Sequence, residues 1–453
     1  MPRAKVVVIG AGLSGLSAAR QLQLADMDVD VVVLEARSRI GGRMCREGVR
    51  IGDKTAVVDL GGQWVGRTQT AIIGLANDLG LTKFEQNTAG DVILRYDGQV
   101  YRDDKSPPAP NDKDRIAAQE LSQELATAAA GISLDEPWNS PGAQDSDKRT
   151  LGQWIESNAH SAYAGFYVYQ EATFNQSGGS PYEVSLLHAL FERKANPPSE
   201  DPDKYLLIGG AGQIPQAMVS LYGIECRTRS RVVAISKAGD TVSVTTSDGK
   251  VEQADAAMPP FLTAAIHLDP PPPAQRLQFA SRMAMGTIVK VAFVYERPWW
   301  RDEKPGEMKL SGTAISDTGT VRITTDSGLL EPGTPGILTG FIQGDQLIKW
   351  SQLSPSERQD RVKQDLIRYF GPDAGSLHKY VETLWPQEQC TGGAYNGYLP
   401  PEGWTSYGAA IREPHAQRIF WAGTETATKW MGYFDGAITA GRRAADEALK
   451  ILG

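Results

Sequence analysis

The chain has 453 residues, 22% of them charged and 41% hydrophobic, with a formal net charge of −8 and a pI near 5.4. That length exceeds one compact core and points to two domains, and the acidic balance argues against nucleic acid or an anionic membrane as partner. Cys45, Cys226 and Cys390 are too few for a disulfide framework and lack metal-ligand spacing; with only five scattered histidines, no metal site is expected.

The first predicted element is a strand over Val6, Val7, Val8 and Ile9, which runs into Gly10, Gly12 and Gly15 in GxGxxG spacing. A helical pattern follows (Leu13, Leu16, Ala19, Leu22), then a second apolar strand over residues 29–34 that ends on Glu35. Three glycines alone could mark an ordinary turn. In this strand–turn–helix–strand context they read as a dinucleotide site. Gly10 serves the tight turn, Gly12 lets the backbone approach a pyrophosphate, and Gly15 lets helix and strand pack closely. Glu35 can accept from a ribose hydroxyl. Arg39, Gly41, Gly42 and Arg43 come next and can add N–H groups and a guanidinium to the same pyrophosphate, which a plain NAD domain does not need.

Lys5 leads directly into the first strand, so no signal peptide is expected, and no apolar run reaches the roughly 20 residues that span a bilayer. Proline-rich segments at 106–112, 196–203 and 269–275 read as surface loops. A helical region fills the space between the first two. Alternating strands with an SDG turn, read as a β-meander, follow from Cys226. Another strand is predicted over 286–295 and a last β–α unit over 419–449. No internal repeat is present.

Lys290 stands in MGTIVKVAFVYERPWW, with Ile288, Ala292 and Val294 on its face of the strand. Two readings follow. Either this is an edge strand carrying one solvated lysine, or the lysine is buried and its pKa is pulled down by desolvation. Tyr395 and Tyr433 each lie close to glycine; as isolated residues they read as half-buried core tyrosines.

The chain resembles the flavin-dependent amine oxidase family, which includes monoamine, polyamine, putrescine and L-amino-acid oxidases. Besides the opening motif, the resemblance rests on DLGGQWVGRTQTAIIGLANDLGL at 59–81, IGGAGQIPQAM at 208–218 and FWAGTETATKWMGYFDGAITAGRRAADEAL at 420–449. It therefore covers essentially the whole chain. It implies an α/β fold of two domains: a discontinuous Rossmann-like FAD-binding domain (1–84, 208–284 and 385–453) and an α+β substrate-binding domain with a mixed sheet flanked by helices (85–207 and 285–384).

By the same resemblance Lys290 matches the lysine that holds a water beside the reactive flavin nitrogen and assists reaction with dioxygen. Tyr395 and Tyr433 match the two aromatic walls around the amine. Gly61, Gly62, Gln63 and Trp64 match the loop passing the flavin ring, Val232 the valine at the adenine, and Trp385 a tryptophan against the isoalloxazine. Thr424, Glu425 and Phe434 match the closing turn, and Ser14, Ala36, Arg37, Gly42 and Arg43 complete the expected cofactor contacts. Gln213 and Phe341 match substrate-cavity positions, with Trp430 beside the cage. Some family members attach flavin through a cysteine just before the first cage tyrosine; here that residue is Ala394, with Cys390 four residues earlier, so non-covalent FAD is expected.

The resemblance implies oxidation of a small amine to an imine, with dioxygen reduced to hydrogen peroxide, and a homodimer is open. The lack of a membrane-spanning run, a departure from the membrane-bound members, makes a soluble, cytoplasmic enzyme the expectation. An oxidase of amino acids, polyamines, diamines or cyclic secondary amines is the alternative, and a colourless escort-type binding protein of the same fold is the rival from another class. An amino-acid oxidase needs a buried arginine, for which Arg67 is the candidate beside its reading as a surface residue. A diamine oxidase needs a pocket acid, and the sequence does not single one out; Asp91 and Glu192 are unranked candidates.

Overall fold

The computed structural model describes residues 4–452 apart from 27, 176–177, 259–264 and 304–307. The β-branched run Ala4–Ile9 lies in the middle of a five-stranded sheet, where both of its faces can be covered. The spatial order is Ile419–Trp421, Asp255–Met258, Ala4–Ile9, Val29–Leu34 and Cys226–Arg227, and every pairing is parallel. Helix Leu13–Gln23 starts directly after the glycine turn and packs against the C-terminal helix Phe434–Leu452. A Cβ on Gly15 would stand 2.0 Å from the Gly10 carbonyl oxygen, so the turn closes only over glycine. The second glycine signature folds back onto the first, with the Gly41 N–H donating to the Ala11 carbonyl at 2.8 Å.

The expected meander is present as Val251–Gln253, Thr241–Thr246 and Val232–Ala238, antiparallel to one another, with His267–Asp269 added in parallel. A larger sheet has seven strands in the order Lys379–Leu384, Ile288–Tyr295, Gly336–Gln343, Ile323–Asp326, Leu310–Ser316, Asp91–Tyr96 and Gln99–Asp103. Its pairings are antiparallel except between Leu310–Ser316 and Asp91–Tyr96, so it is mixed. Helix Pro355–Phe370 covers one face through Val362, Leu366 and Tyr369, which pack with Val289, Val291 and Phe293. Helices Asp112–Ala130, Leu151–Asn158, Ala162–Asn175 and Leu186–Ala195 form the predicted helical region around Leu121, Trp154, Val168 and Phe191.

Two of the proline-rich segments are not simple surface loops. Pro107, Pro108 and Ala109 are buried, and the Tyr163 hydroxyl donates to the Pro108 carbonyl. Asn196 and Asp203, at the two ends of the second segment, face an interior cavity. Proline content marks where the chain turns, but it does not fix which side of the turn meets water. Among the described residues no helix is long and apolar enough to cross a membrane, and no cluster of three or more His, Cys, Asp or Glu could hold a metal ion.

The contact between the first and last helices is close enough to test. A Cβ on Gly441 would stand 2.1 Å from the Ser14 backbone oxygen, so Gly441→Ala must push the two helices apart. The expected cost is about 1–3 kcal/mol, read as a lower thermal unfolding midpoint. Gly74, in helix Thr70–Asp78, has nothing within 4 Å of its would-be Cβ. There, Gly74→Ala is expected to be neutral or stabilising by up to about 1 kcal/mol.

Candidate active site

One continuous cavity begins at the glycine turn and ends on the large sheet. At the first end Gly10, Gly12, Ser14, Gly15, Glu35, Ala36, Arg37 and Gly42 line it, with Val232 opposite. The Glu35 carboxylate is already fixed: Oε2 accepts from the Ala11 N–H at 2.9 Å and Oε1 from the Arg37 N–H at 2.8 Å. No side chain caps helix Leu13–Gln23, and Gly10 and Gly12 face open space, which leaves first-turn N–H groups available to an anion. The Ser14 hydroxyl accepts from the Gly423 N–H at 2.9 Å and ties this turn to the closing one.

Midway, Arg43 makes a two-pronged contact with the fully buried Glu425, at 2.6 and 3.2 Å, and also donates to the Tyr395 carbonyl at 2.7 Å. Burial drives the Glu425 carboxyl upward, but the Arg43 charge and hydrogen bonds outweigh it and hold the group below the usual carboxylate range. Arg43 lines the cavity beside Gly42, and part of its guanidinium is committed to Glu425. A buried carboxylate needs a charged partner, and Arg43 meets that need. Arg37 likewise borders the cavity but pairs with Glu388 at 3.0 Å and donates to Thr391.

At the far end Lys290 is 3% exposed. The edge-strand reading fails because strand Ile288–Tyr295 is paired on both sides, Lys290 lying opposite Phe341 and Thr383. Its ammonium donates to the Gly61 carbonyl at 2.8 Å and to the Gln63 side chain, which leaves one N–H for the cavity it lines. Burial pulls Lys290 down to about 7, against the opposing charge of Asp59. Gln63 is itself held by a 2.9 Å hydrogen bond to Ser327, and Trp385 donates to the Leu60 carbonyl at 3.0 Å.

Tyr395 and Tyr433 line the same space as Lys290. Tyr395 follows Ala394, whose N–H donates to the Gly286 carbonyl just ahead of the lysine strand, and the Ala394–Tyr395 peptide is cis. Tyr433 sits at the start of the last helix; its N–H donates to the Trp430 carbonyl, and its own carbonyl accepts from Thr424. Phe341 packs edge-on against Tyr395 with centroids 5.9 Å apart, and Trp64 and Phe174 complete the aromatic wall. Burial, then the nearby Asp203 carboxyl, hold both phenols well above the usual tyrosine range.

The family model for flavin-containing amine oxidoreductases matches residues 13–449. The chain belongs to that family. It is 37% identical to an L-amino acid dehydrogenase of Synechocystis sp., over 98% of this chain and 95% of that protein. It is 32% identical to the human flavin-containing amine oxidase B, over 99% of this chain and 86% of that protein. Wild-type putrescine oxidase bound to putrescine superposes with a TM-score of 0.91 at 28% identity, covering 99% of each chain. Cyclohexylamine oxidase from Brevibacterium oxydans IH-35A superposes at 0.90, also at 28% identity and with full coverage of both chains.

The protein is thus an FAD-dependent oxidoreductase of the amine oxidase family, and its cavity fits the cofactor. The open glycine turn, the fixed Glu35, Val232, the 61–64 loop, Trp385, Thr424, Glu425 and Phe434 all face one space. Three sequence assignments do not. Gln213 lies outside the cavity because its amide is spent on the Ile208 and Gly210 carbonyls of its own turn, at 2.8 Å each. Trp430 is a buried backing for Tyr433, edge-on with centroids 5.5 Å apart, and does not line the cavity. Arg67 is exposed and lies 3.6 Å from Asp201, in keeping with its surface reading. Asp91 belongs to the large sheet, and Glu192 lies behind the cavity, accepting from Asn396 at 2.8 Å.

Asp203, Asn196, Phe174 and Ile288 were missed as pocket residues. Only Ile288 carried a signal, its two-residue spacing from Lys290.

The Arg43–Glu425 pair yields a prediction. Arg43→Met leaves a buried carboxylate unpaired and is expected to cost about 3–5 kcal/mol in chemical unfolding, while Glu425→Gln in the same chain restores much of the loss. Because the Glu425 carboxyl is held low, the pair stabilises the fold above the unfolded value near ~4.3 and loses that contribution as pH falls through the lower folded one. The acid limb of stability should therefore flatten in the double variant.

Proposed function

We propose that this protein oxidises an amine to an imine, which water hydrolyses to a carbonyl product, with dioxygen reduced to hydrogen peroxide. Bound FAD supplies the redox chemistry, accepting hydride from the carbon that bears the nitrogen and passing the electrons to dioxygen. The observation that carries this reading is the convergence of Lys290, Tyr395 and Tyr433 on the cavity that begins at the nucleotide turn.

The chain's own residues then have definable tasks. Tyr395 and Tyr433 wall a slot in which a slim amine is oriented, and Trp64, Phe174 and Phe341 keep it dry. The remaining Lys290 N–H can hold a water or a reduced oxygen species. The reading keeps the two-domain division stated above, with the site at their junction. It also keeps FAD non-covalent, with Ala394 ahead of the cage tyrosine. Cys390 borders the cavity as well, so yellow colour that stays with the acid-precipitated protein would overturn non-covalent binding.

A second reading, oxidation of an L-amino acid, is favoured by the 37% identity to the Synechocystis dehydrogenase. It requires a cation for the α-carboxylate. Arg67 is exposed, whereas Arg37 and Arg43 are already paired.

The purified protein should be yellow and should bleach under argon on addition of its amine; a colourless protein would overturn the assignment. Lys290→Met should slow reoxidation by dioxygen about 100-fold or more while changing flavin reduction little, both read by stopped flow. In the wild type, reoxidation is expected to decline as pH rises through about 7, where Lys290 loses its proton, and to lose this dependence in the variant. Equal slowing of both half-reactions would remove Lys290 from the proposed role.

A further inference from the structure

Asp203 is an acid in a chamber walled largely by aromatic and aliphatic side chains, which Gln63, Asn196 and Lys290 also line. It lines the cavity together with Tyr395, Tyr433, Phe341, Trp64 and Ile288. Its place is fixed by backbone pairing: Tyr205 and Val65 exchange two N–H···O bonds of 2.9 Å, and the Gln86 N–H donates to the Lys204 carbonyl at 3.1 Å. Those contacts hold residue 203 beside the loop that carries Trp64. The charged residues around it are engaged elsewhere. Lys204 pairs with Glu85 at 3.2 Å, Arg67 lies 3.6 Å from Asp201, and Lys429 pairs with Glu200. Among the described residues no hydrogen bond or ion pair uses the Asp203 carboxylate, and its charge is felt by the phenols of the two cage tyrosines.

We propose that Asp203 is the acceptor for the ammonium group of the substrate and so restricts the cavity to amines that carry no carboxylate. The proposal rests on the amine-oxidase reading above and names the substrate class that reading leaves open. An amine in water is mostly ammonium, whereas loss of hydride from the adjacent carbon requires the nitrogen lone pair. In the chamber the ammonium donates to an Asp203 oxygen. One N–H proton then passes to that oxygen, and the N–H bonding pair becomes the nitrogen lone pair. A cation and an anion become a neutral amine and a neutral acid, the pair that a low-dielectric space favours. Burial raises the Asp203 carboxyl to about 7, which makes it a competent proton acceptor near neutral pH. An α-amino acid would bring its own carboxylate against Asp203, where no arginine stands among the cage residues and the Lys290 ammonium already donates to Gly61 and Gln63.

The test uses the FAD-loaded wild type, Asp203→Asn and Asp203→Glu under argon with benzylamine, cyclohexylamine and L-phenylalanine. Binding is read from perturbation of the flavin bands, and turnover from their bleaching. In Asp203→Asn the amine concentration for half-maximal effect should rise about 100-fold, as for truncating one partner of a buried charge pair. Flavin content, and the reoxidation rate after dithionite reduction, should stay as in the wild type. Asp203→Glu should stay within about tenfold of the wild type, and L-phenylalanine should be rejected by the wild type. Half-saturation by amines within about threefold of the wild type in Asp203→Asn overturns the proposal, as does wild-type bleaching by L-phenylalanine as readily as by benzylamine. If none of the three probes bleaches the wild type, the amine-oxidase reading fails. The role of Asp203 is then decided by binding alone: amine perturbation weakened in Asp203→Asn supports it, and equal or absent perturbation in both overturns it.

Discussion

A lysine ammonium can be held inside a protein only where oxygen atoms replace its water, and the geometry around Lys290 follows from that requirement. Its strand lies within the large sheet, while the two oxygens that receive its protons belong to Gly61 and Gln63, on a loop that lines the same cavity. The hydrogen bonds therefore do two jobs. They satisfy a buried cation, and they join the large sheet to the segment that follows the glycine signatures. Asp59 extends the arrangement: its negative charge favours the Lys290 ammonium, while it accepts from the N–H groups of Ala211 and Gly212 at 2.7 and 2.8 Å.

The same logic recurs at Glu425. Its burial draws in Arg43, and Arg43 also grips the Tyr395 carbonyl, so one ion pair connects the second glycine signature, the closing turn and the cage. Tyr395 stands on a loop without regular structure, yet its backbone is anchored at Arg43 and, through Ala394, at Gly286. Tyr433 is fixed differently, just ahead of the C-terminal helix Phe434–Leu452, which packs against Leu13–Gln23. The slot is thus walled by two residues from separate segments, each held by backbone hydrogen bonds, and this suits a site whose main contribution is positioning.

Charge is distributed unevenly along the cavity. Near the nucleotide turn, arginines and backbone N–H groups predominate. Near the cage, Lys290 is turned to its oxygens, and Asp203 is the carboxylate among aromatic rings. Under the proposed function, a cavity of this polarity would separate an anionic cofactor from a cationic substrate. The Asp203 proposal would give the choice between amines and amino acids a physical basis in that charge distribution.

The nucleotide-binding end was legible in the sequence because its determinants are local: glycines at fixed offsets, a β-branched strand before them and an acid at the end of the next strand. The alternation around Lys290 was equally local and placed Ile288 on its face, but burial of that face depended on two strands found about 50 and 90 residues later. Tertiary structure alone decided the partners. Arg43 is near the glycines in sequence, yet it belongs to a glutamate 382 residues away. Gln213 looked like a pocket residue until its turn showed its amide bonded at home. Asp203 lies in a proline-rich stretch that composition assigns to the surface, and the pairing of Tyr205 with Val65 and of Lys204 with Gln86 sets it against the cavity. Sequence sets which groups can bind a nucleotide, because that motif is read over a few residues; which charges stay unpaired inside is a sum over distant neighbours, and only the folded chain performs it.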